Sequence, residues 1–290
     1  MNDLDQSPVV SRPVADCTAE EVVAALGRGF EGYLVPLRFT AQAYERRFRA
    51  ENLDPYASRV YERDGAPVGV MLIARRGWTS RVAAMGFAPE VRGQGWGRRF
   101  LQEAIEEARD RRDRALLLEV FEQNPPALAL YTKLGFRPMR RLIGWKREPG
   151  PVEGGTGEIL TEIDPLDFGR LASREGEKDL PWALQAETLS AATVPARAYS
   201  LGGRAYALVA DPLAEKITLT ALLVPQAHRR QGWGSRLVRA LTAAFADRPW
   251  SVSPVVPEGL IGDLFPKLGW GGWEISQLEM RLEIGCSDSA

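Results

Sequence analysis

Two cysteines and one histidine in 290 residues leave little material for a disulfide framework or a metal centre. Cys17 and Cys286 stand near opposite ends of the chain with no CxxC spacing, so neither a stapled secreted fold nor a redox motif is expected. His228 alone cannot build a histidine-rich zinc site, and no bound metal is expected. No apolar run approaches the roughly 20 residues of a membrane span. Met1 to Asp5 is polar and acidic, unlike a signal peptide. These absences imply a cytoplasmic protein with no membrane partner. Net charge is scarce too, at −1, but it is unevenly spread: up to Pro149 there are 24 Lys and Arg against 20 Asp and Glu, and beyond it 13 against 18. A mildly basic first half suits a small anionic ligand, and the margin is too small to argue for nucleic acid.

What the chain does have is a repeated glycine stretch. Arg92–Gly93–Gln94–Gly95–Trp96–Gly97–Arg98 returns 137 positions later as Arg229–Arg230–Gln231–Gly232–Trp233–Gly234–Ser235. In both copies a strand-like apolar run precedes the glycines and an amphipathic helix follows. Leu101, Ala104, Ile105 and Ala108 mark one helical face, and Val238, Leu241, Thr242 and Phe245 the corresponding one. A helix start exposes N–H groups without internal partners, and glycines let an anion approach them. The length suffices for two domains, each with its own core.

Taken in order, Val9–Val10 and Val14 suggest a short strand. Thr18 and Glu21 form a capping-box pattern that opens a helix through about Phe30. A second helix is expected from Thr40 to about Glu51. Asp64–Gly65 lies between two strand-like runs and reads as a hairpin. A strand from about Arg81 to Ala88 reaches the first glycine stretch. After its helix come a buried strand at Ala115–Phe121, Asn124–Pro125 as a helix start, a short helix to Leu134–Gly135, and a strand region from Phe136 to Lys146. The proline- and glycine-rich segment 149–157 reads as a linker. The same order then recurs: a strand near Glu158–Ile163, helical segments, a hairpin around Gly202–Gly203, a strand from Ile217 to Val224, the second glycine stretch, and then Trp250–Val256 and Phe265–Trp270. This divides the chain into an N-terminal domain at 1–148, a linker at 149–157 and a C-terminal domain at 158–290.

The glycine stretch lacks the Gly-Lys-Ser/Thr ending of a nucleoside-triphosphate loop, and Phe100 stands where a dinucleotide fingerprint needs its third glycine. Arg92-x-x-Gly95-x-Gly97 and Arg229-x-x-Gly232-x-Gly234 resemble instead the acyl-CoA pyrophosphate loop of the GNAT superfamily of acetyltransferases. Leu118–Glu119–Val120, Asn124, Ala127, Leu130–Tyr131 and Gly135–Phe136 resemble a downstream signature common in that superfamily, especially in the ribosomal-protein alanine acetyltransferases.

The resemblance implies an α+β fold of the three-layer α/β/α type. It consists of two tandem GNAT domains, each a mixed, mostly antiparallel twisted sheet flanked by helices. It also implies acetyl transfer from acetyl-CoA to the amine of a small molecule or peptide, with no metal. The cofactor is expected at Phe87, Ala88, Arg92, Gly93, Gln94, Gly95, Trp96, Gly97, Arg98, Asn124 and Tyr131, with a second candidate loop at Arg229, Arg230, Gln231, Gly232, Trp233 and Gly234. Tyr131 matches the tyrosine near the CoA sulfur and is the candidate acid. Glu119 is the candidate base, since a carboxylate between Leu118 and Val120 is set among apolar neighbours. Val82 to Ala88 contains no acid, so Glu122 or a chain of waters stands as the alternative. The region around Phe30–Leu53, with Gly32–Leu37 inside it, borders the acceptor site in this fold.

In the second half Phe265 replaces the tyrosine, Glu258 falls near the asparagine position and Ser253 falls at the glutamate position. That half is expected to be catalytically degenerate, and the two halves to form an intrachain pseudo-dimer compatible with a monomer. Two other readings stay open. One resembles the mycothiol synthases, tandem members of the superfamily that catalyse in the C-terminal half; Phe265 argues against it. The other is a non-catalytic CoA-binding or scaffolding protein.

Overall fold

The structure, a computed structural model, describes residues 7–35, 40–152 and 157–285. The polar lead at 1–5, positions 36–37 of the acceptor-side segment, linker positions 153–156 and the second cysteine at 286 lie outside the described residues.

The elements in chain order begin with β1 (Val10–Pro13), α1 (Ala19–Gly29), α2 (Ala41–Ala50), β2 (Arg59–Arg63), β3 (Ala66–Arg76), β4 (Thr79–Phe87), α3 (Trp96–Asp110), β5 (Ala115–Phe121), α4 (Pro125–Lys133) and β6 (Arg137–Arg147). They continue with β7 (Leu160–Ile163), α5 (Pro165–Glu175), α6 (Ala186–Ser190), β8 (Arg197–Leu201), β9 (Ala205–Val209), β10 (Ile217–Leu223), α7 (Trp233–Ala244), β11 (Trp250–Pro257), β12 (Gly271–Gly272) and β13 (Gln277–Glu283). They fall into two compact units: the residues up to Met139 together with those from Glu279 onward, and Arg140–Leu278.

In the first unit, local chemistry sets the element ends. The Glu21 amide donates to Thr18 Oγ1 at 3.3 Å, and the Thr18 amide to Glu21 Oε2 at 2.7 Å, completing the capping box of α1. Thr40 caps α2 by accepting from the Ala43 amide at 3.1 Å. The sheet runs in the order β1-β2-β3-β4-β5-β13. Its β1 to β4 pairs are antiparallel and β4 pairs β5 in parallel. The alternation of a strand then sorts the core. Val60, Val70 and Leu72 pack with Val22, Leu26, Tyr44 and Phe48 of α1 and α2, whereas Tyr61 stacks on Phe100 of α3 at 4.0 Å. The sheet is thus covered by helices on both faces.

The second unit repeats this plan. Its sheet order is β6-β11-β10-β9-β8-β7, with β12 on β6. Phe168 of α5 and Leu189 of α6 pack with Ala198, Leu208 and Leu223, while Leu237, Val238 and Leu241 of α7 pack with Leu201, Val209 and Leu219.

The units cut the chain elsewhere than the expected division at 148 and 158. β6 pairs antiparallel with β11, with Arg147 opposite Trp250 and Leu142 opposite Pro257. From Arg140 onward this strand belongs to the second unit. The strand beside β5 in the first unit is β13, from the far end of the chain. Proline and glycine content suggested the linker, whereas strand pairing puts β6 with β11.

Candidate functional site

The first glycine stretch joins β4 to α3. Gly93 and Gly95 have φ of +75° and +85°, a left-handed conformation that costs other residues roughly 1–2 kcal/mol. Gly95 is the N-cap of α3 and carries no side chain to cap it. Among the described residues, the amides of Gln94, Gly95, Trp96, Gly97 and Arg98 make no hydrogen bond, and the first helical bond after them is from the Arg99 amide to the Gly95 carbonyl at 3.1 Å. A row of free donors at the positive end of a fifteen-residue helix is an arrangement that favours an anion.

The polar side chains of the stretch are used to build it. Arg92 Nε donates to the Phe87 carbonyl at 2.7 Å, and its Nη2 to the carbonyls of Glu31 and Gly29 at 2.6 and 3.3 Å. Its guanidinium therefore fastens the end of β4 to the segment after α1. Gln94 Nε2 donates to the Glu90 carbonyl at 2.7 Å. Trp96 stacks on Phe100 at 5.5 Å with the Arg99 guanidinium over its ring. Phe87 and Ala88 are buried beneath the turn, whereas Arg98 is exposed and makes no ion pair among the described residues.

β4 and β5 part next to this stretch. Their ladder runs from Thr79 opposite Ala115 to Val82 opposite Leu118 and stops, although β4 continues to Phe87 and β5 to Phe121. The register of β3 with β4 shifts at the same place, from Leu72 opposite Ala84 to Ile73 opposite Val82. Ala83 is the extra residue of that bulge, and a bulge bends its strand. The last turn of α1 closes on the same stretch of β4. A Cβ on Gly29 would lie 2.7 Å from the Gly86 oxygen, and one on Gly86 equally close to the Gly29 oxygen, so only two glycines allow this contact.

Asn124 caps α4 by accepting from the Ala127 amide at 3.3 Å, with Pro125 in the first turn. The helix holds Tyr131, 8% exposed, with its ring tilted against Phe136 at 5.9 Å. Burial, and after it the neighbouring Tyr33, pushes the Tyr131 hydroxyl to a higher pKa. Tyr33 was not singled out from the sequence. It packs against Phe30 at 5.1 Å and Phe121 at 5.9 Å. Burial raises its pKa too, and a hydrogen bond with the Asn124 side chain partly opposes that rise. The segment after α1, β5 and α4 thus bring Tyr33, Asn124 and Tyr131 together. The one available signal was position, since Tyr33 lies in the stretch expected beside an acceptor.

Glu119 does not stand among apolar neighbours alone. Arg81 Nε reaches its two oxygens at 3.0 and 2.8 Å, and Arg81 Nη2 lies 2.7 Å from Oε2. Arg81 Nη1 also donates to Glu51 Oε2 at 2.7 Å, and Glu51 Oε1 accepts from Arg47 Nε at 2.9 Å. The apolar sequence neighbours point along the strand's other face, and the counter-charge arrives from β4, 38 positions away.

The second stretch copies the first in backbone. Gly232 has φ +83°, and Arg230 takes the place of Gly93 at φ +61°. Arg229 Nε donates to the Val224 carbonyl at 3.0 Å and its Nη2 to the Glu175 carbonyl at 3.0 Å. Gln231 Nε2 donates to the Ala227 carbonyl at 3.0 Å. Trp233 has the Arg204 and Arg236 guanidinium groups over its ring at 4.8 and 4.0 Å, and Gly234 follows it in the first turn of α7. β10 and β11 pair only at Ile217 opposite Trp250 and Thr218 opposite Ser251, and Thr220 is bulged against β9. The chemistry downstream differs. Phe265 is 2% exposed and packs on Trp145 and Trp270 at 4.8 and 4.9 Å. Only a short 3-10 turn, Pro266–Leu268, stands where α4 would. Ser253 is exposed, Glu258 pairs with Arg141 at 2.9 Å, and His228 is half-buried in the turn before the stretch. Among the described residues no group of His, Cys, Asp and Glu is arranged to hold a metal, and no helix is long and apolar enough to cross a membrane.

Paired strands that splay beside a glycine turn, with free amides at the following helix, define an acyltransferase fold of the GNAT type. The sequence model of the Acetyltransferase (GNAT) family matches residues 26–136. A candidate ribosomal protein bS18 alanine N-acetyltransferase of Bacillus subtilis is 34% identical over 102 residues, which cover 34% of this chain and 68% of that protein. An uncharacterised N-acetyltransferase of Methanocaldococcus jannaschii is 30% identical over 128 residues, 41% of this chain and 55% of that protein; the match spans just over half of the archaeal relative's length. A tandem GNAT protein from the clavulanic acid biosynthesis pathway, solved without AcCoA, is 17% identical with a TM-score of 0.68 and covers 97% of this chain and 100% of its own, a likeness of fold. The chain belongs to the GNAT acetyltransferase family.

Proposed function

We propose that the first unit transfers an acetyl group from acetyl-CoA to a primary amine. The observation that carries this reading is the row of free amides from Gln94 to Arg98, placed where β4 and β5 separate. A pyrophosphate on those amides would direct the donor's arm into the opening. There β4 beyond Val82 has no β5 partner to pair its backbone, and an amide-bearing arm can bond to such an edge as an added strand does. Phe87, Ala88 and Gly93 shape the turn, Arg92 and Trp96 brace it, and Arg98 stands free to meet solvent-side phosphate.

Tyr131 is the acid in this reading. The amine nitrogen attacks the thioester carbonyl, the C–N bond forms, the C–S bond breaks, the thiolate takes the Tyr131 proton, and the tyrosinate regains a proton from the solvent that receives the amine's. The raised pKa of Tyr131 keeps that proton in place at neutral pH. Asn124 serves as helix cap and as partner of Tyr33, on the side from which the acceptor enters. Of the candidate bases, Glu119 has both oxygens engaged by Arg81, which favours solvent water as the carrier of the amine's proton.

The second unit keeps the turn without the acid, and we read it as catalytically degenerate. The aromatic packing of Phe265 opposes a mycothiol-synthase-like reading with catalysis in that half. Titration calorimetry with acetyl-CoA tests the assignment. One bound molecule per chain, abolished by substitutions in the first turn, supports it, two would give the second turn a ligand as well, and none would refute it.

A further inference from the structure

The buried charges around Arg81 have no part in the chemistry above, yet they sit where β4 and β5 part. Arg81 lies on β4 one residue before the end of the ladder, opposite Leu117. Glu119 lies one residue past the matching end of β5, and Glu51 is the C-cap of α2. The side chains of Arg81, Glu119 and Glu51 are only 8, 9 and 10% exposed. The planar fork of one guanidinium therefore spans the point at which the two strands part and reaches the helix that precedes the sheet. Arg47 supplies the fourth charge, so the group is neutral as a whole.

We infer that Arg81 and Glu51 are positioning residues, and that with Glu119 they form a clamp that sets the separation of β4 and β5 and holds α2 against it. The inference rests on the acetyl-transfer reading of the first unit. Glu119 then acts through Arg81 and not as the base. The charged groups that face it come from β4, as Arg81, and through that residue from α2, as Glu51 and Arg47.

The test compares Glu119→Gln with Glu51→Gln in the full-length protein. Thiol release from acetyl-CoA is followed against pH, with putrescine and an alanyl peptide as probe amines. The clamp predicts that both variants change in the same direction: KM for acetyl-CoA rises, kcat/KM falls by up to about 10²-fold as reacting groups lose their placement, and the acid limb of the profile stays where it is in the wild type. A base at Glu119 predicts that Glu119→Gln alone lowers kcat by about 10²–10⁴-fold and removes the acid limb, while Glu51→Gln is silent; that result overturns the clamp. Should Glu119→Gln fail to fold, Glu51→Gln carries the test, because it leaves the Arg81–Glu119 pair in place, and a silent Glu51→Gln again overturns the clamp. Failure of the acetyl-transfer reading looks different, since the wild type itself would then release no thiol from acetyl-CoA with either amine.

Discussion

Val82 and Leu118 are the last residues at which β4 and β5 pair. Beyond them one strand bends away at the Ala83 bulge, and β4 runs on to Phe87, just before the glycine turn. The second unit splays its strands in the same way after Thr218 and Ser251, so the opening is a property of the repeated fold. What distinguishes the units is the side chains placed around it.

The turn's dependence on backbone conformation gives a direct comparison. Gly95 and Gly65 have φ of +85° and +75°, and a Cβ would meet nothing within 4 Å at either. Alanine therefore costs strain alone, about 1–2 kcal/mol at each site. Thermal melts should show similar losses for Gly95→Ala and Gly65→Ala. Calorimetry should show acetyl-CoA affinity reduced about tenfold or more in Gly95→Ala and unchanged in Gly65→Ala, which alters only the β2–β3 hairpin.

Acid stability should report the clamp. Burial would raise the pKa of Glu51, but Arg47 and Arg81 outweigh it and hold the carboxyl at about 2, below its ordinary 4.5. The unfolded chain thus takes up this proton at higher pH than the folded one. The stabilisation is complete above about pH 4.5 and is lost as pH falls toward 2. Denaturant unfolding across that window should show a loss on the order of a few kcal/mol, with a shallower slope in Glu51→Gln. Equal slopes in the two proteins would contradict this account of the carboxyl.

The exchanged strands make a prediction about the linker. A protease site placed within positions 153–156 divides the chain into fragments that carry β6 and its partner β11 separately, and β5 and β13 separately. The cut protein should elute from gel filtration as one species under native conditions and separate only in denaturant. Fragments that part in native buffer would show that the pairing is not as described.

Much of this architecture is legible in the sequence, because its signals are local. Thr18 and Glu21 are three positions apart, Asp64 and Gly65 adjacent, and Asn124 next to its proline; each acts on backbone it adjoins. The twin glycine stretches mark both splayed openings for the same reason. The exchange of β6 and β13 is not legible, since an apolar strand does not encode its partner across more than a hundred residues. Nor is the setting of Glu119, where Leu118 and Val120 suggested apolar surroundings and the charged neighbour is Arg81 on another strand. Arg92 shows the same limit. Its place in the loop suggested phosphate, yet the carbonyls of Phe87 and Glu31 take its guanidinium.

The central claim is that the first unit transfers acetyl groups with Tyr131 as the acid, and turnover by Tyr131→Phe tests it most directly. Phenylalanine fills the same buried space beside Phe136 and lacks only the hydroxyl. The account predicts acetyl-CoA affinity close to that of the wild type, with kcat lowered by about 10²–10⁴-fold. Undiminished kcat in a folded Tyr131→Phe protein would contradict it.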